Sequence, residues 1–175
     1  YETRCSPWFQ EFEWGRVTRK QSVLYLTLFD VSSEAITLFN LRNRVKTLSS
    51  LTTGETLNFS TAYLERPGVQ ALTIPIPEEL RSAWLPVIKV EVEGDLEVDD
   101  IPTQMSTGNI VLPVGMSKCH NEGGGLSISG MDRVDRNYPY FATRDWKNIS
   151  NCLSWEVRIV ESGRFRVKVI NVSHG

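Results

Sequence analysis

The run Pro86-Val87-Ile88-Lys89-Val90-Glu91-Val92-Glu93 sets Ile88, Val90 and Val92 on one side of an extended chain and Lys89, Glu91 and Glu93 on the other. Side chains alternate across a strand with period two, so this segment buries one face and wets the other only as a β-strand. Val23-Leu24-Tyr25-Leu26-Thr27-Leu28-Phe29 is rich in β-formers and apolar on both faces, which predicts a central strand covered on two sides. Shorter runs at 35–41, 45–51, 56–59 and 71–76 are separated by polar or glycine-bearing turns such as Thr52-Thr53-Gly54-Glu55. Apart from a turn or two of helix over 78–83, after Pro77, no helix-length amphipathic pattern intervenes. Short strands without crossover helices predict an all-β chain of antiparallel β-sandwich type rather than a parallel α/β sheet.

The acidic stretch Glu93–Pro102 carries Gly94 and Pro102 and interrupts the apolar pattern. It predicts a boundary between two sandwich units in tandem, over 1–98 and 99–175. The second unit is expected to open with a strand over 109–114 and to pass through a polar, glycine-rich loop, His120–Gly125. It then ends in a hairpin. Leu153, Trp155, Val157 and Ile159 alternate with Ser154, Glu156 and Arg158, the turn Glu161-Ser162-Gly163 follows, and Phe165, Val167 and Val169 alternate with Arg164, Arg166 and Lys168. Trp155 falls at an inward position of that alternation. A sandwich takes about seven or eight strands to cover its edges, so the second unit is expected to be incomplete.

The 175 residues are 41% hydrophobic and 23% charged, the balance of a globular chain. A net charge of −2, from 19 Lys and Arg against 21 Asp and Glu, gives no electrostatic reason to expect nucleic acid or an anionic membrane as partner. No apolar run approaches the roughly 18 residues of a membrane span. Tyr1–Cys5 does not read as a signal peptide, and the absence of an initiating Met suggests a mature form or a fragment. The sequons at Asn58, Asn148 and Asn171 tilt the expectation towards a secreted, periplasmic or lumenal protein. Cys119 and Cys152 are the one cysteine pair within a single unit; a bridge between them and buried free thiols are the alternatives.

No constellation of residues here does chemistry. Asp99-Asp100 and the pair Asp132 and Asp135 fall in expected loops, where carboxylates are ordinarily solvated. A Ca²⁺ site on Asp132 and Asp135 is the alternative, because hard cations favour clustered loop oxygens. His120 and His174 lack the partners of a nucleophile and base. Gly123-Gly124-Gly125 lacks the Lys-Ser/Thr and helix of a phosphate cradle. No catalytic residue, metal ligand or cofactor is therefore expected. The one candidate binding feature is Trp146 with Tyr138, Tyr140, Phe141, Arg144 and Asp145: a flat aromatic face takes the C–H-rich side of a sugar while polar neighbours take its hydroxyls. The competing reading has Trp146 and Phe141 capping a small core. Trp8, Phe9, Phe12 and Trp14 form an aromatic cluster expected to pack on the sandwich or on a preceding domain.

Several segments, in order, resemble the C-terminal domain of family 29 α-L-fucosidases, which carries "YGTRPSP" and "WGxxTxKGxxLYLHVF" after the catalytic barrel. Tyr1-Glu2-Thr3-Arg4-Cys5-Ser6-Pro7 stands at the first motif, and Trp14-Gly15-Arg16-Val17-Thr18-Arg19-Lys20 with Leu24-Tyr25-Leu26 and Phe29-Asp30 at the second. Leu41-Arg42-Asn43-Arg44-Val45-Lys46 is similar to "LxNKVK", and Ala71–Pro77 and Val90–Gly94 are similar to later strands of that domain. The departures, Glu2 for Gly, Cys5 for Pro and Gln21-Ser22 for Gly-Asp or Gly-Asn, affect turns more than the strand pattern. Residues 107–175 resemble galactose-binding-like carbohydrate modules through Asp145-Trp146, Ser154-Trp155-Glu156-Val157 and Ser162-Gly163-Arg164-Phe165-Arg166-Val167. The resemblance implies a non-catalytic accessory segment that braces its own upstream catalytic domain, the barrel of a retaining glycoside hydrolase whose two carboxylates lie outside this chain. It further implies a second module directed at fucosylated or galactose-containing glycans. A free-standing carbohydrate-binding or adhesion module is the alternative.

Overall fold

The computed structural model describes residues 3–122, 124–132 and 139–169, and for 129–132 and 139–142 the backbone alone. The chain is all-β, with its ladders antiparallel. A five-stranded sheet runs in the order β1 (Arg4–Cys5), β2 (Gly15–Lys20), β3 (Val23–Leu28), β8 (Val87–Val92), β5 (Val45–Ser50). A three-stranded sheet runs β4 (Ala35–Phe39), β7 (Val69–Pro75), β6 (Ser60–Leu64). The single helical turn α1 (Glu78–Arg81) follows Pro77, whose fixed φ suits a helix entry, and buries Leu80.

The two sheets share one core. Leu24, Leu26 and Leu28 of β3, Ile88, Val90 and Val92 of β8 and Leu48 of β5 pack in one cluster with Ile36 and Leu38 of β4 and Leu72 and Ile74 of β7. Period-two alternation therefore works as expected on β8, where Lys89 and Glu91 pair on the outer face. On β3 the expectation of two covered faces gives way to alternation. Leu24, Leu26 and Leu28 are buried, whereas Val23, Tyr25 and Thr27 are only half-buried. No third layer lies over them among the described residues; Thr18 and Lys89, opposite Tyr25 on the flanking strands, shade that face instead. Phe29, just past the strand, is exposed. The aromatic cluster packs on the sandwich itself: Trp8, Phe12 and Trp14 are buried in its core, Phe12 stacked on Trp14 at 4.9 Å and edge-on to Trp8 at 5.5 Å.

Two expected strands and the expected hairpin come out differently. Over 56–59 only Thr56 pairs, in an isolated bridge to Ser49, while the Leu57 amide donates to the Leu48 carbonyl, and β6 begins at Ser60. Residues 109–113 form no strand and lead into a 3₁₀ turn at Val114–Met116, where Pro113 offers no amide to a ladder. The terminal hairpin is absent as well. Cys152–Ser154 (β12) pairs with Lys118–His120 (β9), Arg158 makes a lone parallel bridge to Thr103, and 159–169 carry no regular structure. Val167 and Val169 stand 82% and 83% exposed. The alternation is present, but no apolar surface lies beneath it, and a two-stranded ribbon alone is marginal in water. Trp155 is half-buried rather than core, its indole N–H donating to the Pro113 carbonyl at 2.7 Å. Residues 105–169 thus contribute two separate ladders among those described, β9 with β12 and Ser127–Asp132 (β10) with Pro139–Arg144 (β11).

The acidic stretch after β8 is bound to the sandwich rather than free of it. Val98 bridges to Leu41, Leu96 and Val98 pack on the core, and the Asn43 side chain donates to the Glu93 and Asp95 carbonyls while accepting from the Glu97 amide. One asparagine thereby satisfies the polar groups of a turn that the sequence reads as a spacer.

Candidate functional site

The loop holding Trp146 begins where β11 ends. Asp145 adopts a left-handed φ of 57°, and the Lys147 amide closes the turn on the Asp145 carbonyl at 2.8 Å and the Gly125 carbonyl at 3.3 Å. Gly125 sits at φ +83°, where a side chain would be strained against the Asp145 carbonyl 3.4 Å away. Asparagines lace the two facing loops together. Asn148 donates to Glu122, Asn151 to Gly124, and Asn121 both donates to and accepts from the Leu126 backbone. On this scaffold Trp146 is 52% exposed beside exposed Arg144 and Asp145, and Lys147 lies 3.7 Å from the Asp145 carboxylate. An exposed indole flanked by an acid and two bases has the composition of a sugar platform. Tyr140 lies on β11 opposite Met131 and Phe141 opposite Gly130, with their side chains outside the described set. Tyr138, Asp135, Gly123, Asn171 and His174 lie outside the described residues, so the Ca²⁺ reading at Asp132 and Asp135 falls there too. No group of three or more His, Cys, Asp or Glu side chains able to hold a metal occurs among the described residues.

His120 acquires a partner that sequence spacing did not show. β9 pairs with β12 so that the His120 imidazole Nε2 and the Ser154 hydroxyl lie 2.7 Å apart. Among the described residues no third group orients the ring, so the pair lacks the orienting member of a nucleophile–base system. In the same ladder Cys119 stands opposite Leu153 and Cys152 opposite His120. Adjacent residues of a strand project to opposite faces, so Cys119 and Cys152 point away from each other, and both thiols are free.

A buried polar junction lies where the segment over 99–104 meets the first sheet pair, and it was not legible in the sequence. The side chain of Asn40, itself at φ 69° after β4, donates to the Thr103 hydroxyl at 2.7 Å and the Ile101 carbonyl at 3.2 Å. Gln10 exchanges two bonds with the Thr103 backbone, at 2.8 and 2.9 Å. Arg158 donates to Asn40 and Asp99, and Gln104 accepts the amides of Val160 and Glu161. Gln10, Asn40, Thr103 and Gln104 are buried, and each finds partners within this network. Its chemistry is structural. It fixes the far end of the chain to the sandwich.

An apolar rim lies at one end of the five-stranded sheet. The Leu28 amide donates to the Pro86 carbonyl and the Leu51 amide to the Val87 carbonyl, which sets the ends of β3, β8 and β5 side by side. Phe29, Leu51 and Leu85 are exposed there, and Trp84 is 94% exposed. Leu85 holds a left-handed φ of 52°, a strained conformation for a leucine, which locks the tip of the Trp84 loop. The signal was available in Trp84-Leu85-Pro86: large apolar residues where a loop is expected to be polar.

Two facing antiparallel sheets around one core define the class, a β-sandwich. No family model matches the chain, and no curated protein matches it. Among solved structures it is similar to an α-L-fucosidase from Vibrio sp. strain EJY3, at 21% identity with a TM-score of 0.52, over 80% of this chain and 28% of that one. The chain thus spans under a third of the enzyme it matches, and the likeness is one of fold. No helix of the described residues is long and apolar enough to cross a membrane.

Proposed function

We propose that this chain is a non-catalytic accessory segment of an α-L-fucosidase-type glycoside hydrolase, whose sandwich braces an upstream catalytic barrel. The carrying observation is the rim of Phe29, Leu51, Trp84 and Leu85. A freestanding sandwich has no use for a tryptophan 94% exposed beside three other apolar side chains on adjacent strand ends, and such patches mark interaction surfaces. Two further observations support the reading: the fold likeness covers a minor part of a fucosidase, and the segments around Trp14 and Leu41 resemble, in order, motifs of the C-terminal domain of family 29 α-L-fucosidases. In this reading the reaction belongs to the barrel.

The test reads the coding sequence ahead of Tyr1 and expresses the whole protein. An α/β barrel is expected there, with hydrolysis of an aryl α-L-fucoside by the whole protein and none by the present chain. Replacing Trp84 and Leu51 by Ser is expected to lower the melting temperature of the barrel. An unchanged barrel melting temperature removes bracing through this rim, and a different upstream domain removes the enzyme assignment. The exposed Trp146 favours glycan binding as a second role.

A further inference from the structure

Arg4 on β1 and Arg19 on β2 stand directly opposite each other in the ladder at the edge of the five-stranded sheet. Directly opposed residues share a face, and like charges in that position repel. Lys20 and Gln21 follow, and these four residues line a surface cavity of about 390 Å³. Among the described residues the lining carries Arg4, Arg19 and Lys20 and no carboxylate, and Lys20 already has a partner of its own. Among the described residues neither Arg4 nor Arg19 makes an ion pair, and the Arg19 Nε is buried without a hydrogen-bond partner. A buried guanidinium nitrogen without an acceptor is rare in folded proteins because its lost hydration goes uncompensated. The wall is also firmly set. Gln21 holds a left-handed φ of 52° at the β2–β3 turn, and the neighbouring Ser22 hydroxyl donates to the Gly94 carbonyl.

The geometry points to an oxyanion site: a carboxylate, or a sulfate or phosphate ester, carried on a small molecule. An oxyanion seated between Arg4 and Arg19 turns their repulsion into attraction, and a guanidinium fork matches such groups with paired hydrogen bonds through its terminal nitrogens. The cavity exceeds what an inorganic ion fills and lies within the about 300–1,000 Å³ of small-molecule sites. It sits at the start of β3, whereas Phe29 and the apolar rim sit past its end, so the site is separate from the proposed bracing surface.

The chain is to be titrated with inorganic sulfate, inorganic phosphate, D-glucuronate and neutral D-glucose at constant ionic strength, followed by backbone amide NMR. Saturable shifts centred on residues 4 and 19–21 are expected with the anions and none with glucose. Tighter binding of glucuronate than of sulfate identifies a carboxylate ligand, and the reverse order an ester. Arg19→Gln is expected to weaken binding at least about tenfold, the loss of one charge-assisted hydrogen bond. Arg19→Lys, which keeps the charge and loses the planar fork, is expected to fall between. Arg44→Gln, at an exposed arginine beside Glu93, leaves binding unchanged. Shifts that do not saturate, that chloride reproduces equally, or that survive Arg19→Gln in a folded variant overturn the site.

Discussion

The guanidinium of Arg158 reaches back to Asp99, with its two terminal nitrogens 3.1 and 3.2 Å from one carboxylate oxygen, and it also donates to the Asn40 side chain at 2.7 Å. The Arg158 amide and carbonyl add bonds to Pro102 and Gln104. One residue thus joins the end of the described chain to the sandwich through side chain and backbone together. Arg42 flanks the same carboxylate at 3.2 Å.

Because the pair is partly shielded from water, its loss costs more than an ordinary surface ion pair. Arg158→Met is expected to lower stability by about 1–2 kcal/mol and to expose residues 105–169 to protease ahead of the sandwich. Denaturant melts and timed proteolysis check both. Loss of stability without preferential cleavage beyond residue 104 argues against a joining role.

Gly15 is irreplaceable for a steric reason. A Cβ built on it overlaps the Thr27 carbonyl oxygen of the partner strand, which is backbone and cannot swing aside. Gly15→Ala is expected to cost at least about 3 kcal/mol, beyond the usual overpacking penalty, and to abolish folding in the worst case. Gly54, where a Cβ meets open space at φ +78°, provides the contrast, with a loss near 1 kcal/mol from conformation alone. Equal melting temperatures for the two variants contradict the clash.

Partial burial raises the Asp100 carboxyl above its ordinary value of 3.8, partly offset by the Phe9 amide donating to it at 2.9 Å. A raised folded-state value means the charged form is disfavoured in the native protein. The penalty is complete above that value and disappears as pH falls through it towards 3.8. Asp100→Asn keeps an acceptor for Phe9 and removes the charge. It is expected to stabilise at pH 7 by less than about 1 kcal/mol, since the side chain still reaches solvent, with the gain vanishing in acid. Glu91 runs oppositely: the Lys89 ammonium and the Thr47 hydroxyl hold its carboxyl below 4.5, so its contribution is lost only as pH falls through that lower value. Denaturant melts from pH 3 to 7 separate the two.

Cys119 and Cys152 face opposite sides of one ladder, so oxidising conditions are expected to leave both as thiols. Mass spectrometry after blocking free thiols is expected to find both labelled, and reductant to leave the melting temperature unchanged. A bridged peptide shows the register to be wrong.

Trp146 offers its indole to solvent next to Arg144 and Asp145. For the glycan-binding proposal, fucose, galactose and fucosylated oligosaccharides are expected to perturb tryptophan fluorescence saturably in the millimolar range, and Trp146→Ala to remove the response while the fold persists. No response with any sugar leaves the Trp146 loop without a binding role.

The period-two patterns determined the strands and the inward residues of the sandwich, because burial on one face is written locally wherever apolar and charged residues alternate, as at Ile88, Val90 and Val92. The same pattern at Val167 and Val169 formed no strand, since alternation specifies a face but not the surface it needs. Other features belong to tertiary structure alone. Gln10 meets Thr103 across most of a domain, Ser154 meets His120 through strand register, and Arg4 meets Arg19 across a ladder. Each is a pairing of residues distant in sequence, with no local signature, and it exists only once the chain has chosen which strands lie side by side. Local patterning thus set which residues face inward; which polar and charged groups meet was decided by packing.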